Sequence, residues 1–295
     1  MKSARFAPLA LIAVAAVWGG AFVLMKDAIE TQPLYDFLGT RFMLATAVMI
    51  AAKPKVLGQL RGKLLLKGIG LGLLLGIAYV TQTIGLAVTT AAITGFLTGL
   101  YVVFVPLLTW ALLRKRISRQ VIAGVVLATA GLAFISINGV SFEAAQLWVV
   151  ACGLFFALHI FGLSVWSPGE DPYALTVIQL AVVGVLCTAL SLTDGYTAPV
   201  GFSGWFAIVF TAVLSTAVAF FVQTWAQGIM DSSRVSIYLT FEVVFTAIIA
   251  VWAGQEVLQP KTVIGGVLLF ASMLVVEWPT KKSKEAMVPY EPMQH

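Results

Sequence analysis

Ten long apolar runs, separated by short polar or proline-containing connections, make up most of this chain of 295 residues. A helix that crosses the hydrocarbon core of a bilayer needs about 20 residues, because each residue advances it by about 1.5 Å. The pattern therefore predicts an all-α integral membrane protein with ten transmembrane helices. The predicted spans are 8–28, 34–52, 65–88, 91–113, 118–138, 144–166, 173–193, 203–226, 233–254 and 260–278.

Composition supports lipid, and not water, as the solvent of this fold. Hydrophobic residues make up 60% of the chain, charged residues only 11%, and the mean hydropathy is +0.98, whereas a soluble domain has about 25% charged residues. The first apolar run is too long for a signal peptide and is interpreted as an uncleaved helix. The polar segment 280–295 is predicted to be a disordered cytoplasmic tail.

Basic residues are distributed unevenly between the two sides of the predicted membrane protein. With ten spans, the termini and the even-numbered loops share one side and carry 15 Lys and Arg, against two in the odd-numbered loops. Cytoplasmic loops carry the excess of basic residues. We therefore expect a multi-pass protein of the cell (inner or plasma) membrane with both termini in the cytoplasm. The net charge of +5 is assigned to this orientation, so no nucleic-acid partner is expected.

The two halves of the chain match each other at an offset of 141 residues. Residues 78–130 then align with 219–271, Gln82–Thr83 with Gln223–Thr224, and Val102–Val103–Phe104 with Val243–Val244–Phe245. We predict two five-helix repeats, 1–139 and 140–279. Because five is odd, the second repeat enters the membrane inverted, an arrangement that favours two-sided access to a midplane site and hence transport over catalysis.

Three stretches carry a resemblance to a known family. They are Val17–Trp18–Gly19–Gly20–Ala21–Phe22, which is similar to a Trp-Gly-x-x-Phe pattern in the first helix, Thr98–Leu108 with Pro106, and Phe241–Glu242–Val243–Val244–Phe245 followed by Gly254–Gln255–Glu256. In these the chain resembles the ten-helix EamA-type branch of the drug/metabolite transporter superfamily. It departs from the pattern where Val243 replaces a proline, where Gln255 is inserted, and where Arg114–Lys115–Arg116 replaces a Gly-Glu pair.

The resemblance implies a basket of helices one, three, four, six, eight and nine around a central cavity. It also implies substrates such as amino acids and related metabolites, usually exported. It does not specify the substrate.

Three ionisable residues are predicted inside spans, where charge is costly and side chains usually face a cavity or a partner. Glu242, near the midplane, is a candidate for binding a substrate amine or carrying a proton; the alternative is a protonated carboxyl bonded to a neighbouring helix. Arg41 pairs with Glu242, binds a substrate carboxylate, or extends to the outer interface. His159 relays protons or makes a single structural hydrogen bond. Only one other histidine exists, in the tail, so no multi-histidine metal site is expected.

Amides and aromatic residues complete the predicted cavity. Gln82 and Gln223 occupy equivalent repeat positions near opposite membrane faces and are interpreted either as the lining of symmetric gates to the substrate cavity or as interhelical hydrogen bonds. Further candidates for the lining are Trp18, Phe22, Tyr79, Tyr101 and Tyr238. Glycines at four-residue spacing, Gly68, Gly72 and Gly76, predict a close helix–helix approach.

The sequence therefore favours a secondary transporter of small organic metabolites, with amino-acid-like solutes and export first. A multidrug or other metabolite efflux carrier of the same fold is the alternative. An enzyme acting on a lipid-linked substrate and a membrane scaffold are the alternatives of other classes. The chain contains no Walker A, Gly-x-Ser-x-Gly or His-Glu-x-x-His motif, so no ATP drive, cofactor or metal is predicted. The expected partners are a small-molecule substrate and the lipid bilayer; proton coupling and a homodimer are left open.

Overall fold

The computed structural model describes residues 2–88, 91–114, 116–136, 146–193, 195–254 and 260–277, and helices dominate them. The α-helices are α1 (Lys2–Ala28), α2 (Leu34–Ala52), α3 (Gly62–Val88), α4 (Ala91–Gly99), α5 (Tyr101–Leu113), α6 (Arg119–Ser136), α7 (Gln146–Trp166), α8 (Pro172–Ser191), α9 (Gly201–Phe210), α10 (Ala219–Gln227), α11 (Ser232–Leu239), α12 (Phe241–Trp252) and α13 (Pro260–Glu277). A π-helix, Thr211–Val218, joins α9 to α10, and a short 3₁₀ helix, Pro54–Gln59, follows α2.

The prediction of a multi-pass, all-helical membrane protein is confirmed for the part of the chain that the structure describes. Seven helices there are long and apolar enough to cross a bilayer, and three shorter apolar helices accompany them, Leu97–Leu113, Arg119–Phe134 and Val263–Val276. The helices coincide with the ten predicted runs, with ends that differ by a few residues. The count of ten spans and their inverted arrangement stay predictions, and the proposed disordered tail 280–295 lies outside the described residues.

Three of the predicted spans are interrupted in their middle. Leu100 separates α4 from α5, and Thr240 separates α11 from α12, each with ψ relaxed to −11° or −16° at an otherwise helical φ. The π-helix interrupts the span from Gly201 to Gln227. Local widening or tightening of this kind is frequent at functional sites.

Glycines bring α3 against α8, as their four-residue spacing predicts. A Cβ on Gly68 would lie 2.5 Å from Ile178, and one on Gly72 would lie 2.9 Å from the Gln179 carbonyl oxygen. Because lipid supplies no hydrophobic drive between helices, this close backbone contact provides the packing that holds them together.

The two ends of the bundle carry different polar contacts. At one end, Lys53 pairs with Asp171 at 3.1 Å, and Lys67 with Glu170 at 2.7 Å. Burial opposes ionisation of Asp171, but the Lys53 ammonium and the backbone amides at the start of α8 outweigh it and lower its pKa. At the other end, Asp36 accepts hydrogen bonds from Ser191 and from the Thr197 amide. These contacts tie α2 and α3 to the loops on either side of α8.

Candidate functional site: a central cavity

A cavity lies between helices drawn from both halves of the chain. It offers about 30 Å³ to the centres of water molecules, room for roughly two waters. Its walls are mostly apolar and aromatic, and they hold one arginine and one glutamate. The lining residues are Trp18, Ala21, Phe22, Met25, Arg41, Tyr79, Gln82, Thr98, Tyr101, Phe156, Ile160, Ser215, Gln223, Leu239 and Glu242.

One face of α1 forms a wall of this cavity. Trp18, Ala21, Phe22 and Met25 follow the three- and four-residue spacing that puts side chains on one side of a helix. The Trp18 indole Nε1 donates to the Ser215 carbonyl oxygen at 2.8 Å. This bond joins α1 to the π-helix.

Arg41 extends from α2 into the bundle and is only 1% exposed. Nε donates to Thr216 Oγ1 (2.7 Å), Nη1 to Met25 Sδ (3.0 Å), and Nη2 to Ser215 Oγ (3.1 Å) and Tyr79 OH (3.4 Å). Its guanidinium also lies 5.0 Å from the centre of the Tyr79 ring, within cation–π range. The side chain therefore does not extend to the outer interface.

Glu242 is the second residue of α12, directly after the break at Thr240, and its carboxyl lines the cavity. Among the described residues, the ion pairs within 4.0 Å join Lys53 to Asp171 and Lys67 to Glu170, so Glu242 and Arg41 share the cavity without direct contact. This structure therefore does not contain the contact ion pair that was one of the interpretations of Arg41.

Aromatic rings support the cavity from behind. Phe220 packs against Trp18 at 5.4 Å, against Tyr79 at 6.0 Å and against His159 at 6.0 Å between ring centroids. The Tyr79 and His159 rings meet Phe220 edge to face, an arrangement that is favourable at these separations, and the Trp18 ring is tilted by 48°. Phe220 thereby fixes two lining residues.

Eight of the ten residues predicted for the site meet at this cavity, and His159 and Tyr238 do not. His159 is fully buried beside α8, where its Nε2 lies 2.7 Å from Gln179 Oε1. Tyr238 is buried next to the lining residue Leu239. Each is one position away from a lining residue, Ile160 or Leu239, and one residue turns a helix by about 100°, so each lies beside the lining face and not on it.

The sequence interpretation missed several groups that shape the site. Ser215 and Thr216 bind Arg41, and Met25, Thr98 and Phe156 add to the lining. Ser215–Thr216 is a polar pair within an apolar span, and that pair was the available signal. Met25 follows Trp18 by seven residues, on the same face of α1.

Comparison with known proteins gives consistent results. The model of the EamA-like transporter family matches residues 5–137 and again residues 144–278. Two uncharacterized transporters of Archaeoglobus fulgidus are similar to the chain: one is 28% identical over 92% of this chain and 85% of its own length, the other 26% identical over 87% and 92%. A solved crystal structure aligns with a TM-score of 0.79 at 18% identity, over 92% of this chain and 96% of the other. That structure shows a common fold only.

Proposed function

This chain belongs to the EamA-like transporter family, and on that premise we propose that it is a secondary transporter that moves small organic metabolites, amino-acid-like solutes first, out of the cell. The cell membrane is the proposed location, with both termini in the cytoplasm. The transport is non-enzymatic, and the solute leaves unchanged.

The observation that carries this proposal is the cavity and its composition. Helices from both halves line it, five of its fifteen lining residues are aromatic, and Arg41 and Glu242 give it one cationic and one acidic group. Solute sites are commonly apolar clefts with a few well-placed polar groups. A site with these properties suits a small solute that combines an apolar body with charged ends.

The mechanism we propose is alternating access between two inverted five-helix halves. About 30 Å³ of space for water centres is too small for a metabolite, so the cavity has to widen before a solute can enter. The breaks at Leu100 and Thr240, together with the π-helix, supply places where spans can bend. Bending there would widen the cavity toward one side of the membrane at a time.

Counterflow in proteoliposomes tests the proposal. Purified protein is reconstituted with an unlabelled solute inside, and uptake of labelled amino acids, nucleosides and cationic drugs is measured. We expect protein-dependent exchange of at least one amino-acid-like solute, recovered without chemical change. A modified product would support the enzyme alternative, and absence of exchange across the whole panel would overturn the proposal.

A matched pair of variants links flux to the cavity. Ala21→Phe adds a ring inside a cavity that has room for roughly two waters, so exchange should fall below about a tenth of the wild-type rate. Ala111→Phe makes the same change at an exposed position of α5 and should leave exchange intact. Equal exchange by both variants would place the solute path elsewhere.

A further inference from the structure

Arg41 brings five N–H donors into the bundle, and its acceptors among the described residues are all neutral. Two hydroxyl oxygens, Thr216 Oγ1 and Ser215 Oγ, lie at ordinary hydrogen-bond distances, while the Tyr79 hydroxyl at 3.4 Å is a long contact. The remaining acceptor, Met25 Sδ, is a thioether, which is a weak acceptor. Of the two N–H groups on Nη1, one donates to the Met25 sulfur and the other has no acceptor among the described residues.

No carboxylate balances this charge at contact distance. Glu242 is the carboxyl that lines the same cavity, and it lies beyond the 4.0 Å of an ion pair. Asp36 lies on the same helix as Arg41, but in the first turn of α2, where its carboxylate accepts hydrogen bonds from Ser191 and from the Thr197 amide. A buried charge without a counter-charge in contact is disfavoured, and the Glu242 carboxyl compensates Arg41 only from a distance. In membrane spans such groups commonly mark the path of a substrate.

We propose that the Nη1 edge of Arg41 is the binding site for the carboxylate of the transported solute. This inference rests on the proposed function and narrows it to solutes that carry a carboxylate. The carboxylate takes the unpartnered N–H of Nη1 and replaces the Met25 thioether as acceptor of the other N–H. Because donor and acceptor are then both ionised, these bonds are shorter and stronger than those from Arg41 to a neutral acceptor. The apolar body of the solute then lies against the aromatic wall.

The position of the site also predicts a preference among carboxylates. Arg41 and Glu242 bring opposite charges to one small enclosure, so a zwitterion leaves the net charge of the occupied cavity unchanged, whereas a simple carboxylate adds one negative charge. Charge enclosed in a membrane span is costly. The zwitterion should therefore bind best, the simple carboxylate next, and the cation that lacks a carboxylate worst.

Three solutes with one carbon skeleton test the inference: leucine, 4-methylpentanoate, which lacks the amine, and leucinamide, which lacks the carboxylate. Affinity is measured by quenching of tryptophan fluorescence, since Trp18 lines the cavity, and by competition in counterflow. Wild-type protein should bind leucine at least about tenfold more tightly than leucinamide. In Arg41→Gln, the affinities for leucine and 4-methylpentanoate should fall about 10- to 100-fold, while that for leucinamide should stay within about twofold.

Arg61→Gln, the same change at an exposed position before α3, is the matched control and should leave all three affinities unchanged. Arg41→Lys should retain part of the affinity, because it keeps the charge and loses the bidentate geometry of the guanidinium.

Should Arg41→Gln fail to fold, the ratio of the leucine and leucinamide affinities of the wild-type protein tests the inference instead. Unchanged leucine affinity in Arg41→Gln, or a wild-type protein that does not distinguish leucine from leucinamide, would overturn the inference. A carrier that exchanges only solutes without a carboxylate would overturn it too while leaving the proposed function intact, and failure of the whole counterflow panel would overturn both.

Discussion

The contact between α1 and α12 provides a test in which two adjacent glycines give opposite expectations. A Cβ on Gly19 would lie 2.7 Å from both Phe245 Cβ and the Thr246 backbone nitrogen. On Gly20, the nearest atom to such a Cβ is Ile249 Cδ1 at 3.5 Å. Gly19→Ala therefore forces two helix backbones apart, whereas Gly20→Ala fills space that is already free.

The size of the effect follows from these distances. Ordinary contacts of a Cβ begin at 3.4 Å, so α1 must move by about 0.7 Å, and overpacking of this kind costs about 1–3 kcal/mol. Both substitutions replace a helical glycine by alanine, which contributes about 1 kcal/mol in each case and cancels in the comparison. Relative to Gly20→Ala, we expect Gly19→Ala to be less stable by about 1–3 kcal/mol, or about 2–12 °C in the unfolding midpoint.

Thermal unfolding of the two variants in the same detergent, followed by size-exclusion chromatography of the remaining folded protein, measures this difference. Counterflow on the same preparations tests whether separation of α1 from α12 also slows exchange, because Trp18 and Glu242 line the cavity on these two helices. Midpoints within about 1 °C of each other would show that the two helices are not in backbone contact at Gly19, and the description of this wall of the cavity would be wrong.

Three further substitutions test separate parts of the structure. Glu242→Gln removes the ionisable carboxyl from the cavity and keeps the size of the side chain, so the pH dependence of exchange should be lost while the protein still folds. Unchanged transport with unchanged pH dependence would exclude a coupling role for this carboxyl. His159→Leu leaves Gln179 Oε1 buried without its hydrogen-bond donor, so the free energy of unfolding should fall by about 1–3 kcal/mol. Substrate affinity should stay unchanged, and an altered affinity would place His159 at the cavity. Asp171→Asn keeps a helix cap but removes the partner of Lys53. The folded pKa of Asp171 is lowered, so its contribution to stability is present at neutral pH and is lost progressively as the pH falls below about 4 and through that folded pKa. The stability difference from wild type, at most about 1 kcal/mol for this partly exposed pair, should therefore shrink as the pH falls. A difference that does not change with pH would point to packing instead of charge.

Local patterns were sufficient for the parts of the site that depend on a single helix. The spacing of Trp18 and Phe22 places them on one face of α1, and the two glycines between them include the one that contacts α12. Glu242 was identifiable because an acid within an apolar run needs a polar environment. In each case the spacing of residues along one helix, or the cost of burying a polar group in lipid, indicates which side of that helix faces the cavity.

The surroundings of Arg41 could not be inferred in this way. Its hydroxyl partners Ser215 and Thr216 lie about 175 residues away in the chain, and the π-helix that presents them has no signature in the spacing of apolar residues. The rotation of α7 was also undetermined: Phe156 and Ile160 line the cavity, while His159, one position before Ile160, faces α8. Tertiary packing determines such rotations, and a uniformly apolar helix leaves them unspecified.

The proposed repeat relates pairs of cavity residues to one another. At the offset of 141, Gln82 corresponds to Gln223, and Tyr101 to Glu242; all four line the cavity. Tyr101 and Glu242 also follow closely on the two helix breaks. A pseudo-twofold axis through the cavity would produce this arrangement, which supports the inverted repeat as the framework of the transporter.

The same correspondence explains why the cavity is chemically asymmetric. Tyr79 corresponds to Phe220, and the rings touch, but only the tyrosine carries a hydroxyl, which lies beside the Arg41 guanidinium. Likewise, an acid stands in one half where a phenol stands in the other. In the alternating-access mechanism that we propose, a symmetric framework would allow the two halves to exchange conformations, whereas Arg41 and Glu242 would stay on their own helices throughout. A solute bound between them would therefore hold one orientation in both the inward- and outward-open states, and it would not have to rotate within the site in order to leave.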